Sequence, residues 1–201
     1  MSRRSVGWVV MGLVFGGALF ASGADSQSQQ PFHHTISPIG SAFRARMTSW
    51  HEGCPVPISD LRLVSVSYWG FDGRAHQGEL ILHKNHAVSV VTALRTLYEE
   101  RFPIRRMRLV EAYGSSDDRS MAADNTSAFN CRGVPGSGSL SEHAYGRAID
   151  INPLENPEIR NGVVSPPDGR KYVNRNKRAK GMIHAGDATV RAFEAGGWEW
   201  G

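Results

Sequence analysis

Residues 61 to 84 constrain the fold more than any other stretch of this 201-residue chain. Val64, Val66 and Tyr68 alternate with Ser65 and Ser67, the two-residue period of an extended strand with one apolar face. Gly70-Phe71-Asp72-Gly73 then supplies turn chemistry, and residues 78–84, GELILHK, predict a second short strand. A hairpin is the consequence. Behind it, Val90, Val91, Leu94, Leu97 and Tyr98 recur at helical spacing, and Pro103 stops the helix soon after Arg101. Residues 107–113 and 147–152 read as further strands. Asp187 is placed to cap a helix with Val190 and Phe193 on one face, ended by Gly196-Gly197. Strands interleaved with single helices, without internal repeats, predict one small α+β domain: a mostly antiparallel sheet with flanking helices.

The chain opens with two arginines, Arg3 and Arg4, an apolar run from Val6 to Phe20, and the small residues Ser22-Gly23-Ala24. This is the order of a secretory signal peptide, residues 1–24, with cleavage expected after Ala24. The apolar run is shorter than the roughly 18 residues a membrane span needs, so no stable span is expected after cleavage. Loss of Arg3 and Arg4 takes the 23 basic residues to 21, against 19 acidic ones. So even a balance argues against a nucleic-acid partner. Basic clusters stand at 101–108 and 170–180; a solvated loop face accounts for the second at least as well as a partner does, and the partner expected of an exported chain is anionic cell-envelope polymer rather than DNA. Residues 25–48, rich in Ser, Gln, His and Pro, predict a flexible lead-in, which leaves 49–201 as the folded domain.

Two cysteines remain, Cys54 and Cys131. In an exported chain such a pair predicts a disulfide, worth about 4 kcal/mol on the chain-entropy account, and without CxxC spacing it gives no zinc finger. That bridge would tie down residues 114–139, a Gly-, Ser-, Asp- and Asn-rich stretch with a turn at Pro135-Gly136. Long irregular segments inside a compact domain usually serve function.

The chemistry concentrates in residues 139–150, SLSEHAYGRAID. Gly146 permits a tight turn that brings His143 and Asp150 in from its two ends. Alternation puts Ala148 and Asp150 on one face and Ile149 and Ile151 on the other, so core-facing isoleucines leave Asp150 toward a cleft. An imidazole nitrogen and a carboxylate oxygen so presented suit a zinc ion. A surface His–Asp hydrogen bond satisfies the same spacing.

Ser141-x-His143-x-x-Gly146-x-Ala148-x-Asp150 resembles the S-x-H-x-x-G-x-A-x-D motif of zinc metallopeptidases that include D-alanyl-D-alanine carboxypeptidases and the L-alanyl-D-glutamate endopeptidases of phage endolysins. GELILH, LYEERFPI, DNTSAFNCR and GWEWG extend the resemblance from about Cys54 to the end. It implies Zn2+ held by His143 and Asp150, and hydrolysis of peptide bonds in peptidoglycan stem peptides. The implied location is the periplasm, the cell envelope or the outside of the cell; a monomer is expected. Family members place an arginine before the histidine motif, to fork a substrate carboxylate. Arg132, beside Cys131, is the candidate and Arg119 the second; an ion pair with a nearby acid is the competing role. Ser141 would bond substrate or orient a ligand, or simply hold the turn.

The family pattern also supplies a third histidine and the catalytic carboxylate, as an acid-x-x-His shortly after W-x-W-G. Here Trp198-Glu199-Trp200-Gly201 close the sequence, and no acid-x-x-His follows Asp150. The catalytic residue is therefore unassigned. The expectation is a chain missing its C-terminal segment, with three readings: a peptidase, an inactive truncated cell-wall-binding relic, or a hydrolase completed by another subunit. Trp198 and Trp200 would share one face of a beginning strand. His184 reads as a solvated loop residue, His83 and His86 as a pair at the start of a helix, and Glu194 and Glu199 as surface charges. His33 and His34 fall in the lead-in.

Overall fold

The computed structural model describes residues 30–201, and the expected signal peptide lies outside them. The elements run β1 (His34–Pro38), α1 (Ser41–Arg44), β2 (Leu61–Gly70), β3 (Ala75–His83), α2 (Ala87–Glu99), β4 (Pro103–Ile104), α3 (Asp117–Ala122), β5 (Glu158–Arg160), β6 (Val163–Ser165) and α4 (Ala188–Glu194). This is the α+β architecture that the sequence predicts.

The hairpin forms where expected, with β2 and β3 antiparallel from Leu61 opposite His83 to Trp69 opposite Ala75. β1 pairs antiparallel with β2, and β4 pairs parallel with its last two residues. The flexible lead-in expected over 25–48 is corrected at β1: residues 34–38 are held by their register against β2. An open β2 edge would leave a row of peptide groups unpaired, and β1 covers it.

Both faces of the hairpin are buried. Val64, Val66, Leu80 and Leu82 meet Val90, Leu94 and Leu97 of α2, while Leu61 and Ile81 meet Phe129, Met47 and Val56. That explains why Leu80, Ile81 and Leu82 are apolar in unbroken succession rather than in alternation. α4 lies on α2 through Val190 and Phe193. Gly197, with φ of 80°, turns the chain out of α4.

Three local expectations are corrected. Residues 107–113 hold a 3-10 turn, Val110–Tyr113, and one isolated bridge from Met107 to Thr126 instead of a strand. Residues 147–152 likewise make a single bridge, Asp150 to Ser127. Over 107–113 the cause is a buried asparagine side chain that takes backbone bonds a ladder would have used, and over 147–152 the Thr126 hydroxyl takes the Asn152 N–H at 3.2 Å. Asn125 Oδ1 accepts from Arg108 N–H and its Nδ2 donates to the Arg108 carbonyl, both at 2.9 Å. Asn152 Oδ1 accepts from Arg105 N–H at 2.9 Å, and Asn152 Nδ2 donates to the Pro103 and Gly181 carbonyls. Third, Trp198 and Trp200 start no strand. Trp198 donates its indole N–H to Ser89 Oγ at 3.0 Å and meets His86 and Phe193 edge-on, while Trp200 is exposed.

Cys54 and Cys131 form the expected disulfide, with Cα atoms 5.9 Å apart. Within residues 114–139 the chain also makes the short helix α3, which the sequence reading missed. Among the described residues no helix is long and apolar enough to cross a membrane.

Candidate metal and substrate site

The edge of β3 that faces away from β2 receives three irregular segments. Glu79 N–H donates to Met107 O, Phe129 N–H to Ile81 O, and His83 N–H to Gly146 O. The site forms where the second and third segments meet. Residues Glu142–Tyr145 make one 3-10 turn, capped by Ser141, whose Oγ accepts the His143 N–H at 3.3 Å. Gly146 ends the turn at φ 65°, in the left-handed region. A Cβ there would lie 2.6 Å from His83 N, so the turn demands glycine for its dihedral and for its proximity to β3. The chain then reverses, and the mutual backbone bonds of Asp150 and Ser127 set Asp150 beside His143. Ile149 and Ile151 turn into the core, as alternation predicted.

His143 Nε2 lies 3.3 Å from Asp150 Oδ2, and Nδ1 lies 2.5 Å from the Ala128 carbonyl oxygen. That carbonyl can only accept, so Nδ1 carries the hydrogen and Nε2 faces the carboxylate. Burial opposes a charge on His143, but the Asp150 carboxylate and the Ala128 carbonyl outweigh it and raise the imidazole to about 9. Burial likewise pushes Asp150 up, yet His143 and Arg132 hold it below the usual carboxylate range.

Arg132 sits beside this pair but not as an open fork. Its Nη2 meets Asp117 Oδ2 at 2.6 Å. Asp117, the first residue of α3, is pushed up by burial although Arg132 opposes that. Sequence reasoning did not single out Asp117, because it lies in the stretch 114–139 that reads as irregular and its partner Arg132 is 15 positions away. Arg119 is exposed and gives its Nε hydrogen to the Tyr113 carbonyl at 2.9 Å.

Does the arrangement fit a metal? Two donors on one tetrahedral zinc, at bond lengths of about 2.0 to 2.2 Å, stand about 3.4 Å apart. The separation of His143 Nε2 from Asp150 Oδ2 matches that spacing. A backbone-anchored Nδ1 is the usual support for a ligating imidazole, and a cation would take the place of the proton that His143 otherwise carries. His184 does not join them. Its Nε2 lies 2.9 Å from the Lys177 carbonyl and its Nδ1 3.4 Å from Asp187. Glu194 and Glu199 are exposed, and His83 and His86 sit at the end of β3 and the start of α2, as expected. Among the described residues no third histidine, cysteine or carboxylate clusters with His143 and Asp150. The one such cluster, His51 with Cys54 and Cys131, has both sulfurs committed to the disulfide, which leaves His51 as a lone donor.

A histidine with a fixed tautomer faces a carboxylate on the rim of the sheet, at the spacing that two ligands of one metal ion would have. Residues 135–201, a third of the chain, match a family model described as D-alanyl-D-alanine carboxypeptidase, and this region is similar to that peptidase family. The match contains the whole Ser141-to-Asp150 motif and bears out the resemblance; the upstream similarities lie outside it. No curated protein and no solved structure matches the chain.

Proposed function

We propose that this chain is an exported, zinc-dependent peptidase acting on peptidoglycan stem peptides, in the manner of a D-alanyl-D-alanine carboxypeptidase or an L-alanyl-D-glutamate endopeptidase. The observation that carries the reading is the His143–Asp150 pair, 3.3 Å apart, with Nδ1 of His143 anchored on Ala128. His143 and Asp150 would hold the zinc, which supplies Lewis-acid polarisation of a carbonyl and a nucleophilic water near neutral pH. Ser141 orients His143 by accepting its backbone N–H. Arg132 places one positive charge next to the pair, suited to the carboxylate of a stem peptide. Export is supported by the leader sequence and by the disulfide, since such bonds persist in oxidising compartments.

One observation favours a second reading, a cell-wall-binding relative that does not cleave: no third ligand joins the pair among the described residues. Zinc titration of the chelator-stripped protein, followed by incubation with stem peptides and peptidoglycan, separates the two. The peptidase reading expects one zinc per chain, lost in His143→Ala and Asp150→Asn, together with peptide hydrolysis. Retention on peptidoglycan without hydrolysis would establish the second reading. Zinc binding indifferent to His143→Ala would sink the metal assignment.

A further inference from the structure

A cavity of about 350 Å3 opens where Trp69, at the end of β2, meets residues 101–103 and 180–182. That volume lies at the lower end of the range for small-molecule sites. Its walls divide by chemistry. Trp69, Phe102 and Met182 are apolar, Arg101 and Lys180 are cationic, and no acidic side chain lines it among the described residues.

Neighbouring acids leave this charge in place. Lys180 Nζ donates to the Phe71 carbonyl at 2.6 Å, a neutral acceptor that does not cancel the ammonium. Arg105, which shares the Phe71 ring with Lys180, is the cation that nearby carboxylates take: Asp124 lies 3.4 Å from its Nε and Glu155 3.8 Å from its Nη2. Asp72 is engaged by His76 at 3.0 Å.

Arg101 stands where the backbone favours a different residue. α2 ends with Phe102 N–H donating to Leu97 O at 2.8 Å and Arg101 N–H to Tyr98 O at 3.0 Å, which sets Arg101 at φ 53°. Glycine fills that helix-ending position with least strain. The arginine there lays its guanidinium over the Trp69 ring at 4.7 Å, in the cavity wall. Residues held in such conformations gather at ligand sites.

We propose that this cavity is a second binding site, which takes a phosphodiester unit of an anionic cell-envelope polymer between Arg101 and Lys180. A phosphodiester spreads one negative charge over two free oxygens and continues as a carbon chain on both sides. Two cations carried on separate segments can each meet one oxygen, while Trp69, Phe102 and Met182 cover the chain. Asn152 Nδ2 donates to the Pro103 and Gly181 carbonyls, so the walls are braced by the chain reversal that carries Asp150, although neither His143 nor Asp150 lines the cavity. The inference requires no zinc; only the choice of an envelope polymer draws on the export in the proposed function.

The test titrates a short glycerol phosphodiester oligomer into the zinc-free full chain by calorimetry, with inorganic phosphate, polyglutamate and an uncharged glycan as comparisons. The oligomer should bind at one site per chain, more weakly as salt rises, and shift the Trp69 indole N–H in 15N–1H NMR. Lys180→Gln should weaken it about tenfold, the scale of one charge-assisted hydrogen bond. Arg101→Gly should weaken it similarly while relieving the backbone, so that Tm falls no lower than wild type. An Arg101→Gly protein that loses Tm but keeps its affinity overturns the proposal, as does Lys180→Gln binding at wild-type strength. Polyglutamate, inorganic phosphate or the uncharged glycan binding as tightly as the oligomer would overturn the phosphodiester assignment. His143→Ala should bind the oligomer unchanged; loss there would move the anion to the metal pair and overturn the second site. A chain that takes up no zinc yet binds the oligomer as described would refute the peptidase reading and leave this site standing.

Discussion

Gly146 meets two demands at once, a left-handed φ of 65° and a backbone approach to His83 that no Cβ tolerates. Gly146→Ala should therefore cost about 2 kcal/mol or more, combining the dihedral penalty with the displaced contact. Thermal denaturation should show a midpoint lower by roughly 4 to 8 °C, and zinc binding should weaken because the His143 turn moves with it. A second residue-scale prediction concerns Glu155. It is buried beside Asp124, and Arg105 lies 3.8 Å away. Burial first, and then the Asp124 carboxylate, raise Glu155 to about 7. Its proton is held more tightly in the folded chain than in the unfolded one, so stability falls as pH rises from about 4.5 to about 7. Denaturant unfolding across that range should show the decline, and Glu155→Gln should flatten it. A wild-type protein equally stable at both ends would refute the assignment.

At the scale of elements, the site is held by crosslinks between irregular segments rather than by a continuous ladder. The disulfide joins the segment before β2 to the segment carrying Phe129, Asn130 and Arg132, and Asn130 N–H donates to the His143 carbonyl at 3.1 Å. Replacing Cys54 and Cys131 together by serine should cost about 4 kcal/mol, measurable by denaturant unfolding. The same change should weaken stem-peptide binding more than zinc binding, because Arg132 adjoins the bridge whereas His143 and Asp150 do not. These crosslinks also explain where sequence reading stopped. The β2–β3 hairpin was legible because alternation and turn residues act within a dozen positions. The strands expected at 107–113 and 147–152 were not formed, because the Asn125 side chain takes both backbone groups of Arg108, 17 residues away, and the Thr126 hydroxyl takes the Asn152 N–H, 26 residues away. Nothing local announces that an asparagine will be buried.

For the whole molecule, a ligand that binds only the folded chain adds to its stability by mass action. Zinc at about one hundred times its dissociation constant should stabilise the protein by about 2.7 kcal/mol, a rise of roughly 5 to 10 °C in Tm. The rise should vanish with a chelator and in His143→Ala. An equal rise in that variant would place the metal elsewhere. Dependence on Asp150→Asn should be similar, since both ligands come from one reversal of the chain. The predicted zinc stabilisation would depend on the fold as much as on the pair, because His143 relies on Ala128 and Asp150 relies on Ser127.

What the sequence determined by itself was whatever is encoded at short range. That includes the hairpin, the apolar stripe of α2, the need for glycine at 146, and the spacing that presents His143 and Asp150 together. The disulfide was also legible, since only two cysteines were there to pair. The tertiary structure decided which charges meet. It set Asp117 against Arg132, turned Ala128 O toward His143, and drew His34–Pro38 onto the sheet. Those contacts join residues 15 to 32 positions apart, and their free energy exists only once the hydrophobic core has fixed the segments in place.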